Sequence, residues 1–131
     1  MIENIAMTEV ILIPISIGEL IDKISILKIK LKKMAGDQLI NVNRELKALE
    51  VKLIEKNLKI DPKLSSELAE VNLLLWQIED KIRLKEANKE FDDEFVQLAR
   101  SVYQQNDKRA SLKRQINLLY NSQLVEEKLY Q

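Results

Sequence analysis

Apolar residues along most of this 131-residue chain recur at alternating intervals of three and four, the period of one helix face. Four stretches carry the pattern. The first opens at Ser16-Ile17-Gly18-Glu19, where Ser16 as N-cap and Glu19 reaching back to it form a capping box. It predicts a helix to about Ala35, stopped by Gly36, with its seam on Leu20, Ile24, Leu27, Leu31 and Met34 and with Ile17 and Ile21 beside it. A second helix, capped by Asp37, is expected over roughly 38–58, with seam Leu39, Val42, Leu46, Leu49 and Leu53. Asp61-Pro62 is a restart signal, a capping carboxylate followed by proline at the first helical position. It opens a third helix over roughly 62–87, with seam Leu64, Leu68, Val71, Leu75, Ile78 and Ile82. Ala87 to Glu90 reads as a loop. The fourth helix runs from near Asp92 to about Tyr120 through Phe95, Leu98, Val102, Gln105, Arg109, Leu112, Ile116 and Leu119. The tail from Asn121 reads as a short helix or a frayed end.

Ahead of the helices lies Val10-Ile11-Leu12-Ile13-Pro14-Ile15, a β-branched run with the character of an extended segment, confined to an edge or an end by Pro14. It either packs on the helices or pairs with its copy in a second chain. Short loops imply antiparallel neighbours. The expected fold is all-α, an antiparallel, coiled-coil-like four-helix bundle with a short extended N-terminal segment. Residues 1–9 read as a flexible extension and 10–131 as a single helical domain. The last two helices are the longer, at roughly 40 Å against 30 Å, so they must protrude, bend or find a further partner.

Composition narrows the chemistry. Hydrophobic residues at 46% and a net charge of zero, from 21 basic and 21 acidic residues, favour a folded globule over disorder. Cysteine and histidine are absent and there are two glycines, which removes disulfides, thiol and imidazole catalysis, most zinc sites and glycine-rich phosphate loops. The apolar run at 10–15 is too short for membrane insertion. The first charge is Glu3 rather than a basic signal-peptide region, and the expected location is cytoplasmic. Few aromatics interleave the basic residues, so nucleic acid is not expected as a partner.

Three features depart from a plain bundle. Ile26 and Ile29 give the first helix a second apolar face, which makes it either central or part of a subunit interface. With the apolar lead-in, the interface is the favoured reading, and a homodimer is expected. The seam of the fourth helix is interrupted by Gln105 and Arg109. Arg109 is then either a structural residue paired with Glu79 or Asp80 in a polar layer, or part of a ligand pocket of Arg83, Tyr103, Asn106, Arg109 and Lys113. Charge is also segregated: Lys23, Lys28, Lys30, Lys32 and Lys33 fall together, as do Glu86, Glu90, Asp92, Asp93 and Glu94. Trp76 and Tyr103 read as large core residues more readily than as pocket aromatics.

One catalytic class stays open. Glu67-x-x-Glu70 and Glu90-x-x-Asp93 resemble the ExxE…ExxD pattern of helical nucleotide pyrophosphohydrolases, in which four carboxylates hold Mg²⁺, a cation that prefers such hard oxygen ligands. The segments PISIGELIDKISILKIKL (14–31), LWQIEDKIR (75–83), FVQLARSVYQQNDKRASLKRQIN (95–117) and SQLVEEKLY (122–130) resemble a family of small all-helical bacterial and phage proteins catalogued as a domain of unknown function. That resemblance implies that the polar residues of the third and fourth helices belong to the family's pattern. The leading expectation is a non-enzymatic, homo-oligomeric interaction module without cofactor, its partner a second copy and possibly another protein. The alternative is a binding protein or Mg-dependent hydrolase for a phosphorylated small molecule, a nucleotide or nucleotide-sugar.

Overall fold

The computed structural model describes residues 10–129; the extension expected at 1–9 lies outside the described residues. Four helices form the fold of the described residues: α1 (Ile17–Lys33), α2 (Asp37–Glu55), α3 (Pro62–Ala87) and α4 (Asp93–Leu119). The described residues contain no strand. Three of the four starts are marked by a side-chain cap. α2 is the exception: Asp37, expected as its cap, is its first helical residue. Gly36, expected as the stop of α1, stands before it with no side-chain cap, α1 having ended at Lys33. Ser16 Oγ accepts from the Glu19 N–H at 3.1 Å, Asp61 Oδ1 from Lys63 N–H at 2.9 Å, and Asp92 Oδ1 from Phe95 N–H at 2.9 Å, satisfying N–H groups that have no partner inside the helix. The Glu19 carboxylate does not close the capping box but turns to Lys113 and Lys23. Three ends share one device. Asn57, Lys89 and Asn121 take positive φ, and the next N–H reaches back five residues, Leu58 to Leu53, Glu90 to Lys85 and Ser122 to Asn117, as in a Schellman stop. Asn57 therefore ends α2 earlier than the expected 58.

α1 packs against all three other helices, α3 and α4 pack against each other, and α2 packs on α1 alone. The bundle is thus not a closed ring of four. α1 is its axis, with a core on either side. Leu20, Ile24 and Leu27 meet Val42 and Leu46 of α2. Ile21 meets Leu68, Val71 and Leu75 of α3 and Leu112 and Ile116 of α4. This placement corrects the interface reading of the second apolar face. Ile29 is 8% exposed and Ile26 half-buried within the single chain, because a helix with neighbours on several sides must be apolar on several sides. Leu119, expected on the α4 seam, is exposed, since α4 ends there and Tyr120 takes the place against the core.

Close contacts hold α1 to the base of α4. The Gly18 N–H donates to Asn117 Oδ1 at 2.6 Å, and a Cβ at Gly18 would lie 2.5 Å from the Lys113 carbonyl oxygen. The Ile17 N–H donates to Ser122 Oγ at 3.0 Å, and the Asp61 N–H to Tyr120 Oη at 2.6 Å. After its stop, the tail is neither helix nor strand in its described residues, 121–129, and returns beside α4, with Glu126 near Lys113 at 3.7 Å, Glu127 on Arg114 at 2.8 Å and Lys128 on Asp107 at 3.3 Å. At 26 and 27 residues against 17, α3 and α4 outreach α1 by roughly 14 Å, and their turn forms a projecting tip. There Lys85 bridges Glu90, Asp92 and Glu94, and Phe91 meets Phe95 edge-on, with ring centres 5.3 Å apart.

Gly18→Ala is expected to destabilise the fold by about 1–2 kcal/mol, the overpacking cost outweighing alanine's better helix propensity; urea denaturation should show a lower midpoint at unchanged slope. A hydrogen bond from Lys85, with a second from the Phe95 N–H, holds the Asp92 carboxyl below its ordinary 3.8. A depressed carboxyl pKa stabilises above the unfolded value, and this is lost as pH falls through the folded one. The Tm advantage of the wild type over Asp92→Asn should therefore be present at neutral pH and close as the pH drops below 3.8.

Candidate functional site

The polar residues of α1, α3 and α4 converge where the three helices cross. Asp22 sits on the α1 face that carries Ser25 and, two turns on, Ile29, and its side chain is 0% exposed. The Arg109 Nε donates to Asp22 Oδ1 at 3.0 Å and the Arg109 Nη2 to Oδ2, a two-pronged pairing that suits a planar guanidinium. Asn72 Nδ2 of α3 donates to Asp22 Oδ1 at 2.9 Å and to Ser25 Oγ at 3.1 Å. Lys113, one turn after Arg109, bonds to Glu19 and stands 3.8 Å from Asp22. The bond to Asp22 raises the Arg109 guanidinium above its ordinary range, against the opposite pull of burial. Among the described residues, no buried side-chain nitrogen or oxygen lacks a partner.

This geometry corrects the expected pairing. Arg109 is in a polar layer, but its acid is Asp22 of α1, and Glu79 and Asp80 of α3 are exposed. Both lie on the solvent side of α3, while the α3 face toward α1 presents Asn72. Sequence reading missed Asp22, Asn72, Asn117 and Gly18. The available signal was a carboxylate and a serine on the face of α1 that also carries Ile26 and Ile29.

Four of the five pocket candidates, Tyr103, Asn106, Arg109 and Lys113, line one open hollow of about 480 Å³ between α4, α1 and the tail. Arg83 is exposed on α3 and does not take part. Tyr103 is exposed rather than in the core, and Trp76 is half-buried. The hollow is electrostatically compensated. Glu19, Asp107 and Glu126 line it with Arg109, Lys113 and Lys128, and each of these cations already holds a carboxylate. An anionic ligand would have to displace those partners.

The carboxylates of the Mg²⁺ pattern do not meet. Glu67 and Glu70 lie in the first half of α3, while Glu90 and Asp93 lie past its far end, about 30 Å away along the helix. No group of three or more possible metal ligands occurs among the described residues. Linear spacing matched the pattern, but the helix between the two pairs separates them.

A second feature lies at the base, on the side of α1 and α2. Val10, Ile11, Leu12 and Ile13 are 69–89% exposed. With Ile15, Leu20, Leu49 and Leu58 they border a largely apolar groove of about 700 Å³, edged by Lys23, Lys52, Lys56 and Glu45. Lys52 is paired with Glu55 and Lys23 loosely with Glu19, and Lys56 has no ion pair among the described residues. No helix among the described residues is long and apolar enough to cross a membrane.

The chain belongs to a family of unknown function, DUF6165, whose model matches residues 11–131. Neither the curated proteins nor the solved structures contain a match to it.

Arg109→Met should cost about 3–5 kcal/mol, because it strands the fully buried Asp22, and adding Asp22→Asn should recover much of that loss. In double-mutant cycles read by denaturation, Arg109 should couple strongly to Asp22 and not to Glu79 or Asp80.

Proposed function

We propose that this member of a family without assigned function is a non-enzymatic, homodimeric interaction module of the cytoplasm that associates through the lead-in at 10–15 and the groove beside it. One observation carries the reading. Four consecutive large apolar side chains stand in solvent next to an apolar groove, and contiguous apolar surface of this kind marks interaction sites on folded proteins. The dimer expectation now rests on this segment alone, because Ile29 is spent inside the chain. The non-enzymatic part is supported by the sequence, which offers no histidine or cysteine, and by the polar layer, whose groups bond to one another.

The second reading, a phosphorylated small molecule bound with or without Mg²⁺, draws on the hollow that Tyr103, Asn106, Arg109 and Lys113 share. The compensated charge of that hollow counts against it. Thermal melting against nucleotides and nucleotide-sugars separates the two, since a ligand at about 100 times its Kd adds about 2.7 kcal/mol of stability; no shift is expected.

Light scattering should give a dimer at high micromolar concentration. Ile11→Asp with Ile13→Asp should give a monomer whose helical circular dichroism is unchanged. Ile29→Lys, in contrast, should lower the Tm, because it puts a charge into the core. A wild type that scatters as a monomer at every concentration would sink the proposal.

A further inference from the structure

The groove at the base and the tip of the α3–α4 hairpin are complementary in polarity and charge. The groove's edge carries Lys23, Lys52 and Lys56 against Glu45. Lys52 is paired with Glu55 and Lys23 loosely with Glu19, and Lys56, which has no ion pair among the described residues, gives the edge its positive sign. The tip has the opposite sign. Around it stand Glu86, Glu90, Asp92, Asp93 and Glu94 against Lys85 and Lys89, and Lys85 is folded inward onto three of those acids. At the centre of this acidic ring Phe91 is 59% exposed, and its ring is set by the edge-on contact with Phe95. A rigid aromatic among charges is the usual form of an interface anchor, and a groove of about 700 Å³ has room for it.

Within one chain the tip and the groove cannot meet. The N-terminus of α1 is bonded to Asn117 and Ser122 at the base of α4, and the tip lies at the opposite end of the longest helices. Two copies laid antiparallel bring each tip to the other's base, and a two-fold axis then satisfies both contacts at once.

The geometry points to a second copy as the occupant of the groove, entering by its tip: Phe91 inserts between the lead-in and α1–α2, and the tip carboxylates face Lys52 and Lys56. This inference rests on the self-association proposed above and names the surface that serves it.

A charge swap tests it by sedimentation. Lys52→Glu with Lys56→Glu makes an acidic groove, and Glu86→Lys with Asp93→Lys makes a basic tip. Each doubly substituted chain alone should self-associate about tenfold more weakly or worse, since like charges then oppose each other at both contacts. An equimolar mixture should recover an affinity close to that of the wild type, because both contacts in the mixed dimer again pair opposite charges. Phe91→Ala, which changes no charge, should weaken self-association on its own, with circular dichroism confirming that each variant is folded. A mixture that fails to associate overturns the inference. So does a tip variant that dimerises like the wild type while Ile11→Asp with Ile13→Asp is monomeric. That second result would seat the partner's own lead-in in the groove and leave the proposed function standing. A monomeric wild type overturns both.

Discussion

A single carboxylate sets the arrangement of this fold. Asp22 is withdrawn from water, which is tolerable only while donors from other helices surround it. Arg109 comes from α4 and Asn72 from α3, so the charge is satisfied only when three helices stand at one mutual register. Slipping α1 by a turn against α3 would take the carboxylate from Asn72 to the level of Leu68 or Leu75, and slipping it against α4 would break the two-pronged pairing with Arg109. The apolar seams do not discriminate in this way, since a leucine packs nearly as well against the next leucine along. Polar groups in a helical core are well suited to this registry role. Gly18 adds a second constraint, because only a residue without Cβ lets the α1 backbone come so close to the Lys113 carbonyl.

From that constraint follows the character of the α4 surface. Arg109, Lys113, Arg114 and Lys128 look in sequence like a basic patch, yet each is bound to an acid of α1, α4 or the tail. The pairs nearest the core join helices, and the exposed ones near Arg114 and Lys128 contribute little individually. Their collective effect is to lay the tail along α4 and to leave the hollow beneath it with both signs of charge. The residues that sequence reading grouped as a ligand pocket are in large part the fittings of the helix crossing.

The fold was legible where its causes are local. Helix starts follow from Ser16, Asp61-Pro62 and Asp92, whose side chains act within a few residues, and the seams are visible because helical periodicity repeats within each segment. What required the third dimension was partner choice. Arg109 and Asp22 are 87 positions apart, and nothing in linear order prefers Asp22 to Glu79 or Asp80, which sit on the adjacent helix of the same hairpin. The second apolar face of α1 posed the same problem, because a helix at the axis of a chain and one at a subunit boundary have the same composition. The carboxylate pattern of Glu67, Glu70, Glu90 and Asp93 failed for a related reason: its spacing describes a sequence, and a rigid α3 turns that spacing into distance.

Why a chain of zero net charge should separate its charges so strongly is a question about neighbours. Within the monomer the separation is rewarded only locally, where acids at the start of α4 and lysines in the last turn of α1 complement the helix dipoles and Lys85 gathers the tip carboxylates. The remaining like charges repel one another. They stand mostly in water, where that repulsion is weak and screened, so the fold tolerates it. Between molecules the same pattern has direction. A body with lysines at the groove edge of one end and carboxylates at the opposite tip is attracted to a second copy in antiparallel orientation and repelled in parallel. Electrostatics of this kind sets orientation and encounter more than affinity. Affinity would have to come from apolar surface, and the chain leaves some exposed at each of these two places, the lead-in at one end and Phe91 at the other. Since the polar layer ties α1 to the base of α4, it also fixes how far apart those two places lie.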